Sequence, residues 1–317
     1  MAREEQPKVY SSELKEFISY LKLQRNFSSL TCKSYMEDVS FFLGFIKVNG
    51  IRYTEVTPNL IRGYLLDLSN SGLSKATIKQ NLASLKHFYK FLFTQGYIKT
   101  DPFEFVTSPK LDERLPDFLN ENEIQQLFKA NMERTDNLKY RDQAILELLY
   151  ASGLRASELV SLTFQNIDMR NRVIRVVGKG NKQRIVPFSN SAKIALQNYF
   201  DLCRNNLVIK DKSNKMNTYI FLNNNGKQLT SRGLEYILKE IEKKANCYMK
   251  LHPHKLRHSF ATTMLSNGAD LRVIQELMGH ESIGTTQIYT HVSYTQMKEV
   301  YNNCFPRAKI NKKDTQD

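Results

Sequence analysis

HPHKLRHSFATTML, residues 252–265, and LMGHESIGTTQIYTHV, residues 277–292, decide how this chain is read. Five of its six histidines, His252, His254, His258, His280 and His291, fall inside these two stretches. No acidic residue occurs from Lys243 to Ala269, nor from Ser282 to Lys298. Within this carboxylate-poor region His254, Arg257, His280 and Tyr289 follow one another in order. A tyrosine set among cations and hydrogen-bond donors is equipped to attack a phosphodiester. The cations neutralise the substrate's charge and favour the phenolate over the phenol.

The same residues admit plainer readings. His254 and Arg257, three apart, share one face of a helix and taken alone describe a basic face that holds DNA without chemistry. His254 and His258 have the spacing of helical zinc ligands, but Lys255 stands where that pattern needs a glutamate and no third ligand is evident, so no metal is expected. Asp270 caps a helix that stops at Gly279, giving Leu271–Val292 the outline of a helix-turn-helix reader. That outline leaves Tyr289, between Ile288 and Thr290, without a purpose.

Charge points the same way as the histidine cluster. The chain carries a net charge of +14 and an isoelectric point near 9.5, which calls for a polyanionic partner. The excess is +5 over residues 1–110 and +9 over residues 111–317. Two basic halves fit a protein that grips nucleic acid from two sides; a generally basic surface with no partner is the alternative. Cys32, Cys203, Cys247 and Cys304 have no paired spacing and read as reduced thiols. The N-terminus has no secretory signal and no apolar run approaches a membrane span, so a cytoplasmic protein with no membrane partner is expected.

Residues 1–108 read as all-helical. Leu14, Phe17, Ile18 and Leu21 form a helical stripe, Ser28 or Ser29 caps a second helix to Lys47, Thr57-Pro58 opens a third, and Ser74 a fourth. Residues 109–118 form a linker within a proline-containing stretch that has no helical period. From residue 119 to 307 the pattern is mixed but mostly helical. Asn120–Glu123 has capping-box spacing, and an apolar helix from Tyr140 to Ala151 ends at Gly153. Arg172–Val177 and Gln183–Phe188 form a hairpin with Lys179 at its turn, and Tyr219–Leu222 is expected to add a strand. Residues 308–317 are a charged tail. The fold class is thus mainly α with a small β-sheet. Arg155, which follows Ser152-Gly153-Leu154 at a junction between helices, and Lys179 are each unremarkable alone; Glu158 is placed to orient Arg155.

Together these pieces resemble the tyrosine recombinase (phage integrase) family, and within it the Xer-type chromosome-dimer recombinases. ASGLRASELVSL resembles the family's first motif and VVGKGNKQRIVP its lysine hairpin. HPHKLRHSFATTML is similar to the second box and LMGHESIGTTQIYTHV to the last. The segments around Asn26–Thr31 and Leu73–Thr77 follow the family's core-binding domain. The resemblance implies a helical N-terminal core-binding domain that clamps DNA and a catalytic domain of the tyrosine recombinase type. It implies six catalytic positions: Arg155, Lys179, His254, Arg257, His280 and the nucleophile Tyr289. The implied reaction passes through a 3′-phosphotyrosyl intermediate and needs no cofactor.

The implied partners are double-stranded DNA carrying a short imperfect palindrome, a homo- or heterotetramer with a paralogous recombinase, and a septal DNA translocase. In such a tetramer a terminal helix over Thr295–Asn303 would pass between neighbours; packing on its own subunit is the alternative. Two further functions stay open: the integrase or excisionase of a mobile element, and a non-catalytic DNA-binding regulator on the same fold.

Overall fold

The computed structural model describes residues 9–110, 118–178, 183–211, 217–245, 250–279 and 294–308. It divides into two compact units, Met1–Arg114 and Leu115–Asp317.

The first unit consists of α1 (Ser12–Leu23), α2 (Ser29–Val48), α3 (Pro58–Asn70) and α4 (Lys75–Thr94), with a short 3-10 turn at Tyr53–Glu55. Each helix begins on a hydroxyl: Ser11, Ser28, Thr57 and Ser74 accept hydrogen bonds from the amides of Leu14, Thr31, Leu60 and Thr77. Such a cap satisfies one of the amides that a helix start leaves without a partner. Phe17, Phe42, Leu82, Leu85 and Phe88 fill the core between the helices. A polar network crosses that core. Ser84 Oγ and Asn81 Nδ2 on α4 donate to the two oxygens of buried Asp38 on α2, at 2.8 and 3.2 Å. Tyr64 on α3 donates to Asn81 at 3.3 Å.

The second unit runs α5 (Glu121–Met132), α6 (Leu138–Ser152), α7 (Ala156–Val160), then strands β1 (Ile167–Asp168), β2 (Val173–Val177) and β3 (Gln183–Pro187). There follow α8 (Asn190–Tyr199), a π-helical turn at Phe200–Arg204, α9 (Asn205–Val208), α10 (Ser231–Lys244), α11 (Pro253–Ser266), α12 (Leu271–Met278) and α13 (Tyr294–Cys304). Every residue from Ala144 to Ser152 on α6 is buried. A helix stretch buried on every side must be enclosed by others, and α5, α8 and α11 pack around it. The sheet is antiparallel in the order β1-β2-β3, with Ile174 opposite both Ile167 and Val186.

Two local expectations are corrected. Tyr219–Leu222 is not a strand; it makes only isolated bridges, Thr163 to Tyr219 and Leu222 to Gln228. Side chains occupy the carbonyls a ladder would need: Arg204 donates to those of Asn217, Tyr219 and Ile220, and Tyr199 to that of Ile220. The hairpin also gains a third strand, β1, whose two residues are too short to show an alternation.

The terminal helix α13 packs within its own unit. Buried Tyr301 donates to the Ala151 carbonyl at 2.9 Å, and Arg307, just beyond the helix, pairs with buried Glu147. α6 itself stops at Gly153, whose φ of 58° is left-handed. A Cβ there would lie 2.5 Å from Phe260 Cδ1 on α11. Gly153→Ala should therefore combine left-handed strain with overpacking, costing about 2–4 kcal/mol. Thermal melts should show a midpoint roughly 5–10 °C lower; an unchanged midpoint would mean that Phe260 gives way freely.

Candidate active site

The Gly153 turn carries the chain directly to Arg155, the N-cap of α7. Three residues on, Glu158 accepts from the Arg155 backbone amide at 2.8 Å and from its guanidinium at 2.9 Å. Arg257 comes from the first turns of α11, where Pro253 occupies the opening position and the His252 imidazole accepts from the Lys255 amide. His254, on the same first turn, is exposed. The third contributor is α12, which begins on an Asp270 cap and ends at Gly279 with φ of 63°.

A helix C-terminus leaves its last carbonyls without partners and carries about half a negative charge. Here three consecutive carbonyls are taken by three different arginines. Arg184, from β3, donates Nε to Leu277 O at 2.9 Å; Arg257 donates to Met278 O; Arg155 donates to Gly279 O at 2.9 Å. Arg257 also donates to Gly153 O. Glu158 lies between two of the cations, with Arg184 bonded to both of its oxygens at 2.8 Å.

Among the described residues Glu158 is the one carboxylate that pairs with this cluster, and it pairs with two of its members, Arg155 and Arg184. Positive charge is therefore in excess. Burial, reinforced by the charge of Arg155, lowers the Arg257 pKa to about 10, so it stays cationic at neutral pH. Burial pushes the Glu158 carboxyl up, but hydrogen bonds from Arg184 and the Arg155 amide outweigh this and hold it below its ordinary value. Arg155 is the open member of the cluster, with 41% of its side chain exposed. A surface cation over a buried cationic partner is a place for an anion with two adjacent oxygens.

Of the six residues singled out in the sequence, Arg155 and Arg257 thus meet at adjacent carbonyls of α12, and His254 lies one turn before Arg257. Lys179, His280 and Tyr289 lie outside the described residues. Of the other tyrosines in the terminal region, Tyr294 and Tyr301 both have their pKa raised by burial, and the Tyr301 hydroxyl is committed to Ala151. Arg184 went unread in the sequence. It stands among seven basic residues between Met169 and Phe200, and nothing in that run sets it apart. No three His, Cys, Asp or Glu side chains converge as a metal set, and no helix is long and apolar enough to cross a membrane, among the described residues.

Family models match both units: the phage integrase family over residues 117–296, and the phage integrase N-terminal SAM-like domain over residues 14–96. The chain belongs to the phage integrase family, the tyrosine recombinases, enzymes that break and rejoin DNA strands. Tyrosine recombinase XerC of Oceanobacillus iheyensis is 42% identical over 297 residues, covering 93% of this chain and 96% of the relative. Tyrosine recombinase XerD of the same organism is 38% identical over 297 residues, covering 93% and 98%. In fold the chain is similar to the XerH site-specific recombinase in a post-cleavage complex with palindromic difH substrate. The TM-score is 0.63 at 21% identity, over 91% of this chain and 84% of that one.

The Glu158 pairing has a pH signature. A carboxyl whose pKa is depressed on folding contributes stability that is present above its unfolded value, about 4.3, and is lost as pH falls through the folded one. Glu158→Gln should cost about 3 kcal/mol at pH 7 in denaturant titrations, as expected for a broken buried pair. The gap from wild type should narrow below about pH 4.3. Glu147, whose carboxyl burial pushes upward, titrates in the opposite sense in both proteins and cancels from the difference. A gap independent of pH would disprove the charge pairing.

Proposed function

We propose that this chain is a Xer-type site-specific recombinase that resolves chromosome dimers, and that Arg155 and Arg257 bind the scissile phosphate. The observation that carries the reading is the surplus of guanidinium charge at the end of α12, ten residues before Tyr289. Tyr289 attacks the phosphorus, a phosphotyrosyl bond forms on the 3′ side, and the bond to the 5′ oxygen breaks. Lys179 gives that oxygen its proton, while His254 assists in removing the tyrosine's. Arg155 and Arg257 hold the non-bridging oxygens as charge develops on them, and His280 donates to the phosphate. The 5′-hydroxyl of a second strand then reverses the step. The phosphodiester's energy is kept in the covalent bond, so no nucleotide or metal is consumed.

On this reading residues 1–108 clamp DNA, 109–118 link, 119–307 carry the chemistry and 308–317 form a tail. The enzyme works in the cytoplasm on a short imperfect palindrome, as part of a tetramer with a paralogue and under a septal DNA translocase. The existence of XerC and XerD in one relative organism supports a paired system, and the higher identity to XerC there, 42% against 38%, favours that side.

The test is covalent trapping on nicked DNA bearing candidate terminus-region sites. Wild type should give a protein–DNA adduct on a denaturing gel, and Tyr289→Phe should bind the same DNA and give none. Arg155→Ala or Arg257→Ala should slow adduct formation about a hundredfold or more, about 3 kcal/mol of barrier. Binding without an adduct, even with a paralogue added, would favour the non-catalytic regulator. Reaction only on a mobile element's ends would favour the integrase.

A further inference from the structure

We propose that Arg184 is a positioning residue that keeps Arg155 available to phosphate by occupying Glu158 in its place. The inference rests on the reading of Arg155 as a phosphate-binding group. Arg184 and Arg155 compete for one carboxylate. Both contact Glu158 Oε1, Arg184 at 2.8 Å and Arg155 at 2.9 Å. Arg184 alone spans both oxygens with its guanidinium, because Oε2 receives from Arg155 only the backbone amide.

The two arginines differ in what they have left to give. Each of the three Arg184 nitrogens has a partner, Leu277 O or a Glu158 oxygen, and its side chain is 11% exposed. Nothing in that arrangement reaches toward substrate. Arg155 has one guanidinium nitrogen on Glu158, one on Gly279 O, and an open side.

A buried carboxylate takes whatever cation is in reach, because leaving it unpaired is costly. With Arg184 present, Glu158 is neutralised by a group that takes no part in holding the anion, and Arg155 keeps its charge for an incoming anion. Without Arg184, the whole Glu158 charge falls to Arg155, which would close onto it in the bidentate geometry that arginine and carboxylate favour. The phosphate would then meet a neutral pair. Arg184 also ties β3 to the end of α12, and Gly279 leaves room for it: a Cβ there would come within 3.1–3.2 Å of the guanidinium.

This separates from a merely structural ion pair by charge logic. Single-turnover adduct formation on nicked DNA at saturating protein, below the melting transition of every variant, should be at least about tenfold slower in Arg184→Met. DNA affinity should stay within about threefold. Adding Glu158→Gln to Arg184→Met should restore most of the rate, since no carboxylate remains to capture Arg155; additive loss in the double variant would overturn the proposal. Arg184→Lys, which keeps charge and fold, should react faster than Arg184→Met, and a lysine variant no better than methionine would equally overturn it. An adduct at wild-type rate in Arg184→Met sinks this inference and leaves the recombinase reading intact. No adduct from wild type would instead remove the reading on which it rests.

Discussion

One helix end organises the catalytic unit. α12 finishes with three carbonyls in succession, and each is the acceptor for an arginine from a different part of the chain: β3, α11 and the α6–α7 junction. A helix C-terminus is a poor place for an anion and a good one for cations. It can therefore gather positive groups that would otherwise repel one another. The partial charge of the carbonyls is too small to neutralise three guanidinium groups, and Glu158 adds one full negative charge. What remains is an excess of positive charge, assembled by contacts within the unit itself. On the proposed reading this is preorganised charge, usually the largest single contribution to catalysis at a centre where negative charge develops.

Apolar packing supports two of those three origins, the α6–α7 junction and α11. α6 is buried along its whole second half and delivers Arg155 through a single left-handed turn at Gly153. Phe260 on α11 lies directly against that turn, so the helices bearing Arg155 and Arg257 are packed at the point where the arginines diverge. On the other side, Tyr301 of α13 reaches the last turn of α6. The junction that carries Arg155 and the helix that carries Arg257 thus have aromatic rings packed close to them.

Much of this was legible in advance, because it is written in local chemistry. Ser28, Thr57, Ser74, Asn120 and Asp270 cap helices as their residue types require, and Gly153 and Gly279 end them. The four helices of the first unit follow from hydrophobic period together with their capping residues, and the hairpin of the second from two β-type runs around a glycine-rich turn. Glu158 could be assigned to Arg155 because the two are three residues apart on one helical turn. Arg184 could not, because its partners, Glu158 and Leu277, are 26 and 93 residues away. The misread segment, Tyr219–Leu222, failed for the same reason. Its composition fits a strand, but Arg204 and Tyr199, from a helix well upstream, took its carbonyls.

The polar network in the first unit bears on how that unit finds its structure. Asp38 is enclosed, and its two oxygens are met by Asn81 and Ser84, two residues that lie three apart on α4. Sliding α2 along α4 by a single turn would still bury aromatic against aliphatic surface at little loss, since Phe and Leu abound on both. It would, however, take from a buried carboxylate the two donors that α4 supplies. The network therefore works as a proofreading device for helix alignment: a small core rich in interchangeable rings gains one arrangement that its hydrophobic contacts alone would not single out.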